Sequence, residues 1–378
     1  MRMRKPIHEL VPEYFHDLPV YIPGKPIEEV ERELKIRAVK LASNENPLGP
    51  SPLAVEAIKR ALADSNRYPD GGSFLLHEKL SERHKMPPEN IFIGLGSSEL
   101  IDLAARALLR PGLEGITSHG SFALFRISIR ASGAKLMETP LKDYTFDLGA
   151  MARAITADTR VIYIANPNNP TGTMFNADAF DAFLEKVPDH VLVVLDEAYC
   201  DYVERTDYSR SLERVRQGHN LLVLRTFSKV HGLAGLRLGY GIGPAKFLAE
   251  VNKLRTPFNT SNLAQAAALA ALDDYEHVRR SIRSNREGLQ QMQAGLAALD
   301  VQAIPSFANF VLVELGTDAN PVSEELLKLG VIVRPMRWMR FPNAIRVTVG
   351  TREENEKFLR AMAQIRASVT PAPGSLPR

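Results

Sequence analysis

The feature that most constrains this chain is a set of short, wholly apolar runs through its middle: IFI at 91–93, VIYIA at 161–165, VLVVL at 191–195 and LLVL at 221–224. Such runs do not alternate with polar residues, so each reads as a strand covered on both faces. Amphipathic stretches lie between them, SELIDLAARALL at 98–109 and a second around 177–185. Buried strands alternating with helices predict an α/β doubly wound, mostly parallel sheet from about residue 50 to 260.

The character changes afterwards. Residues 263–300 form one long helical pattern with few breakers, followed by strand candidates at 309–315, 331–335 and 344–350 and helical patterns at 321–329 and 352–367. Strands with helices beside them predict a smaller α+β unit. At roughly 150 residues per domain a chain of this length holds two or three. The expected division is a large unit at 46–275, a small one at 276–368, an arm at 1–45 that packs on the small unit or on a partner subunit, and a Pro-rich, disordered tail at 369–378.

Composition removes several classes. Hydrophobic residues at 45% and charged residues at 24% exclude a disordered or fibrous chain. A net charge of +3 is far too small for nucleic-acid binding led by charge. The lone Cys200 excludes an intramolecular disulfide framework and a multi-cysteine metal site, and suits a reducing compartment. The basic start is broken by Pro6, Pro12, Pro19, Pro23 and Pro26 and lacks the apolar core of a signal peptide. No apolar run approaches the ~20 residues that cross a bilayer, so no membrane partner is expected and the expected location is cytoplasmic.

Open α/β sheets bind ligands just beyond the carboxyl ends of their strands, and four turns fall there. GLGSSEL (94–100) opens a helix, and its free N–H groups and positive dipole end suit a phosphate, although a tight turn with serine caps is the plainer alternative. NPNNPTG (166–172) is a forced turn whose Asn could donate to a ligand oxygen; a plain loop is equally compatible. Asp196 ends a fully apolar run, where a buried carboxylate needs a partner; a cationic ring nitrogen is one and a helix cap another. Lys229 stands where a strand opens into a Gly-rich turn, beside Ser228 and eight residues before Arg237. A lysine there can form a Schiff base, whereas elsewhere it is commonly a solvated charge. Together the four suit pyridoxal 5′-phosphate, which requires a Schiff-base lysine and an acid on its ring nitrogen.

NPNNPTG, DEAY and SKVHGLAGLRLGY resemble the fold-type-I pyridoxal-phosphate aminotransferases, and LASNENPLGPSP, RYPDGG and RVTVGTREENEKFL narrow the likeness to histidinol-phosphate aminotransferases. The resemblance runs from residue 21 to 362. It implies that Lys229 is the Schiff-base lysine and proton carrier, that Asp196 pairs with the ring nitrogen, and that Asn169 and Tyr199 bond the ring's 3′-oxygen. It places Ser97, Ser98, Thr226, Ser228 and Arg237 around the phosphate, Phe122 on the ring face, and Tyr68 in the neighbouring site of a homodimer. Arg346 grips a substrate carboxylate, Arg334 is the second cation, and Asn44 and Tyr21 line the same pocket, Tyr21 from the partner. The substrates implied are an amino donor, histidinol phosphate, and a 2-oxo acid, 2-oxoglutarate; an aromatic-amino-acid aminotransferase of the same fold is the alternative. No metal is implied. Two departures stand out: Phe122 replaces a more usual tyrosine, and MRWMRFPNA (336–344) adds Arg337, Trp338 and Arg340 where many relatives have a glycine-bearing turn.

Overall fold

The computed structural model describes residues 6–20 and 25–369. Seven strands form the larger sheet: β1 (Ile91–Gly94), β2 (Glu114–Ser118), β3 (Lys135–Thr139), β4 (Thr159–Ala165), β5 (Leu192–Asp196), β6 (Leu221–Thr226) and β7 (Gly239–Ile242). Their spatial order is β1-β7-β6-β5-β4-β2-β3, and every neighbouring pair is parallel except the two that β7 makes. Consecutive residues Val193, Val194 and Leu195 are all buried, so β5 has no solvent face. The apolar runs encode this directly, because a strand covered on both sides has no position at which a polar residue is free of cost.

Helices Gly96–Leu108, Ala123–Ala131, Leu148–Arg153, Ala177–Leu184 and Ser211–Arg216 fill the gaps between strands. Three strands escape the apolar-run reading. β2 is EGITS and β3 is KLMET, too polar for that pattern; β7 is GYGI, where Gly241 leaves room for Leu100 and Leu222.

The helical stretch expected as a single element over 263–300 is two helices, Asn262–Asp273 and Tyr275–Ala298. Asp274 breaks it: its carboxylate caps the second helix by accepting from the His277 N–H at 3.1 Å and also accepts from Ser51 Oγ at 2.6 Å. A residue that can bond to the backbone two ways ends one helix and starts the next. The first of the pair lays Ala264, Ala267, Ala268 and Ala271 against helix Pro52–Ala61, whose Ala54 and Ala57 are also buried.

A second sheet is antiparallel: β8 (Gln302–Ala303), β9 (Phe310–Glu314), β10 (Arg334–Met336) and β11 (Phe341–Thr348), in the order β8-β9-β11-β10. It has its own core, in which Val311, Val313, Ile345 and Val347 meet Met292, Leu326 and Phe358 of three helices. The stretch VIVRP divides between two pairings. Val331–Ile332 joins Val39–Lys40 in parallel, whereas Arg334 begins β10. Residues 337–340 are the β10–β11 turn, a single 3-10 turn closed by Arg340 at φ 69°. The arm also divides: Val30 and Ala42 pack with Ile332, while Tyr14 lies against Gly133 at the end of helix Ala123–Ala131. The tail at 370–378 lies outside the described residues.

Candidate active site

The turns after β1, β4, β5 and β6 open into one cavity of about 600 Å³. One wall comes from these strand ends and the other from Asn44, Arg334 and Arg346.

At one end the backbone builds an anion cradle. Ser97 and Ser98 lie in the first turn of helix Gly96–Leu108, where N–H groups have no helical partner. Thr226 Oγ1 donates to Ser228 Oγ at 2.9 Å and accepts from the Ser228 N–H at 3.1 Å, which locks both hydroxyls toward the cavity. Arg237 closes the cradle, its Nη1 anchored on the Ala234 carbonyl at 2.9 Å. Glycine at 96 is required twice over: its φ is +73°, and a Cβ there would come within 2.9 Å of Arg237 Nη2. A Cβ at Gly239 would strike the backbone of Gly96 and Ser97 at 2.7 Å, so that glycine lets β7 approach the cradle.

Beyond the cradle lie two groups with displaced acidities. The Asp196 carboxyl is raised to about 7, chiefly because it is buried; the Ala198 N–H, which it accepts at 3.1 Å, and the charge of Lys229 pull the other way. The half-buried Lys229 lines the cavity, its amine 5.5 Å from the centre of the Tyr199 ring. Enclosure lowers it to about 8, with Arg346 next in effect, while Glu45 and Asp196 oppose the fall. An amine lowered to about 8 and a carboxyl raised to about 7, in one pocket, are a nucleophile and an acid both displaced toward working pH.

Behind Asp196 lies a support absent from the expected set. The fully buried Glu197 accepts from Arg225 Nη2 at 2.8 Å, Ser209 Oγ at 2.7 Å and Ser211 Oγ at 2.8 Å, which fixes the turn that carries Asp196. Its only sequence signal was an acid beside an acid, and the partners lie 12 to 28 residues away.

The opposite wall is built from distant segments. Arg346, on β11, donates from Nη1 to Asn169 Oδ1 at 2.5 Å and from Nη2 to the Ala42 carbonyl at 2.8 Å, and lies over the Phe310 ring. Asn44, at φ 55°, donates from Nδ2 to Tyr199 Oη at 2.9 Å, while its own N–H donates to Thr348 Oγ1 at 2.9 Å. Arg334 is held 5.1 Å from the Trp338 ring, and Phe122 precedes helix Ala123–Ala131 with its ring edge-on to Phe125. Thirteen of the expected residues therefore border the one cavity. Tyr68 does not: it is 83% exposed and stacks on Phe258 outside it. Tyr21 lies outside the described residues, although Pro19 just before it lines the cavity. Among the described residues no group of three or more His, Cys, Asp or Glu is placed to hold a metal ion, and no helix is long and apolar enough to cross a membrane.

A half-buried lysine and a buried carboxyl at strand ends beside an anion cradle suit amino-group transfer, and the chain belongs to the aminotransferase class I and II family, whose model matches residues 36–362. It is 49% identical to histidinol-phosphate aminotransferase 1 of Nitrosococcus oceani over 91% of this chain and 94% of that protein. It is 48% identical to histidinol-phosphate aminotransferase 2 of Pseudomonas fluorescens, covering 92% and 95%. Among solved structures, histidinol-phosphate aminotransferase of Sinorhizobium meliloti in complex with pyridoxal-5′-phosphate superposes with a TM-score of 0.87 at 28% identity, over 95% of this chain and 98% of that one.

Proposed function

We propose that this chain is a pyridoxal-phosphate-dependent transaminase that moves an amino group between L-histidinol phosphate and 2-oxoglutarate in histidine biosynthesis, giving imidazole acetol phosphate and glutamate. The observation that carries the reading is the meeting, in one cavity, of a lowered amine, a raised carboxyl, an anion cradle and two arginines.

The residues fit the cofactor. Ser97, Ser98, Thr226, Ser228 and Arg237 would hold its phosphate, and Phe122 would cover one ring face. Asp196, kept near neutrality by burial, would recover its charge against a protonated ring nitrogen. Asn169 already accepts from Arg346, which leaves its amide N–H groups, with the Tyr199 hydroxyl, for the ring oxygen. When bound, the cofactor draws off the electron pair left at the substrate Cα. Lys229 would take the Cα proton and return it two atoms away, to the carbon across the amino nitrogen, a task suited to an amine lowered to about 8. Arg346 pairs with the carboxylate of glutamate or 2-oxoglutarate, and Arg334 is the second cation available to the phosphate that replaces that carboxylate in histidinol phosphate. Asn44 holds Tyr199 in place.

The division into a cofactor-carrying unit at 46–275 and a small C-terminal unit at 276–368, with an arm at 1–45, is part of the same reading. So is a homodimer with shared sites. Supporting it, Tyr68, Phe258 and Leu95 are exposed beside the phosphate turn, where Asn259 Nδ2 and the Leu95 N–H both donate to Glu99 Oε2 at 2.7 Å. An apolar patch at the mouth of a charged site is what a second subunit would cover. A cytoplasmic location follows from the substrate, since a phosphate ester does not cross a membrane unaided.

Adding histidinol phosphate without a 2-oxo acid to protein reconstituted with pyridoxal phosphate should replace the cofactor's visible absorption band by that of its aminated form. A band that histidinol phosphate leaves unchanged, but phenylalanine or tyrosine converts, would establish the aromatic-amino-acid reading instead.

A further inference from the structure

The turn that carries Lys229 is held from outside itself. Within the turn, the Lys229 carbonyl accepts from the Gly232 N–H at 3.0 Å and the Phe227 carbonyl from the Leu233 N–H at 3.1 Å. The two carbonyls that follow Lys229 are taken by one distant segment, residues 46–51. Asn46 Nδ2 donates to the Val230 carbonyl at 2.9 Å, and the Ser51 N–H donates to the His231 carbonyl at 3.1 Å. Segment and turn meet backbone to backbone, since a Cβ at Gly232 would come within 2.1 Å of the Gly49 carbonyl oxygen.

The same segment is fastened on its other side to helix Tyr275–Ala298. Asn46 Nδ2 also donates to Ser281 Oγ at 2.9 Å, and Ser51 Oγ donates at 2.6 Å to Asp274, the residue that caps this helix. The buried Asn46 amide has no slack: its nitrogen serves two partners and its Oδ1 accepts from the Leu48 N–H at 3.0 Å. Val230 packs in the same direction, with Val278 and Ile282 of the helix and Phe310 of β9. Further along the helix, Met292 and Leu296 belong to the core of the second sheet. Buried contacts therefore run from that core to the residue after Lys229, and Asn46 is bonded to both ends of the path.

Resting on the reading of Lys229 as the Schiff-base lysine, we propose that residues 46–51 are a strap and that Asn46 is a positioning residue. By tying the Val230 carbonyl to Ser281, it sets where the Lys229 amine stands in the cavity. Asn46 is not among the residues that line the cavity, so its effect passes through the turn. A carboxamide suits this task because one nitrogen offers two donors in a fixed plane, here aimed at partners on two different elements. An amine displaced by about an ångström meets its target in the productive geometry far less often. Through the strap, the docking of the second sheet is felt at the lysine.

The test follows capture of pyridoxal phosphate, by its visible band, in full-length protein freed of cofactor. Asn46→Ala should slow capture by roughly 10- to 100-fold, the cost of a small misplacement. Ser281→Ala, which leaves the bond to Val230, should slow it by about 3- to 10-fold. Adding Ser281→Ala to Asn46→Ala should slow it by less than about twofold more, because both act through one tie. In the reloaded enzyme kcat should fall in the same order with every donor, while KM stays within about twofold. Variants that unfold at lower temperature yet capture cofactor and turn over at the wild-type rate overturn the proposal, as do two effects that multiply independently. Should Asn46→Ala fail to fold, Ser281→Ala decides alone: capture at the wild-type rate overturns the strap. Wild-type protein that captures pyridoxal phosphate no faster than Lys229→Ala overturns the reading of Lys229, whereas normal capture by the wild type with unaltered variants overturns the strap only.

Discussion

The two walls of the cavity are built by opposite strategies. The wall proposed to face the cofactor comes from contiguous turns at strand ends, with Thr226 bonded to Ser228 and Asp196 to Ala198, partners two residues apart. The wall proposed to face the substrate joins residues from opposite ends of the chain: Arg346 to Ala42 and Asn44 to Thr348, each pair 304 residues apart. The first wall is set once the sheet forms. The second exists only when the two sheets dock. On the proposed roles, chemistry common to all substrates rests on local geometry, and discrimination between substrates on tertiary closure.

Substitutions on the first wall should lower kcat for every substrate alike, and those on the second should act mainly through KM and on one substrate more than another. Lys229→Ala is the largest case. Single-turnover rates should fall by at least about 10⁴-fold with all donors, while the cofactor stays bound through its phosphate contacts. Substantial turnover in that variant would remove Lys229 from the proton transfer.

Asp196→Asn should lower kcat by about 10²- to 10³-fold with every donor and leave the fold intact. The variant carries a pH signature as well. The folded carboxyl titrates at about 7 against 3.8 when unfolded, so the stability it contributes is complete below about pH 4 and is lost as pH rises through about 7. Thermal unfolding of cofactor-free protein across that window should show the decline in the wild type, and the Asn variant should flatten it.

For the lysine the sign is opposite in effect. Only its uncharged form attacks an aldehyde, so the rate at which cofactor-free protein captures pyridoxal phosphate should climb as pH rises through about 8 and level off above it. A profile centred near 10.5 would mean that the pocket does not depress the amine.

Arg346→Gln should raise KM for 2-oxoglutarate by roughly 10- to 100-fold and change kcat less. A loss confined to kcat would break the division between the walls. Smallest is Asn44→Ala, which removes the bond to Tyr199 and should cost about 1–3 kcal/mol of stability, read as a lower urea midpoint, with a modest rise in KM.

How much of this could be read beforehand follows the same division. VIYIA, VLVVL and LLVL announced buried strands because a strand covered on both faces admits no polar position, and each chemistry-bearing turn sits directly after its run. β2, β3 and β7 were illegible for the converse reason, being polar or glycine-containing strands whose place depends on neighbours. The break at Asp274 was hidden because its carboxylate is committed to Ser51, 223 residues away.

By itself, then, the sequence determined the doubly wound sheet, the order of the four turns and the residue types at their tips, since local pattern and backbone sterics act within a few residues. Only the tertiary structure decided that Arg346 meets Asn169, that Asn44 holds Tyr199 and that Arg334 lies over the Trp338 ring. Those contacts depend on how two separately packed sheets meet, and that is decided by buried surfaces summed over the whole chain.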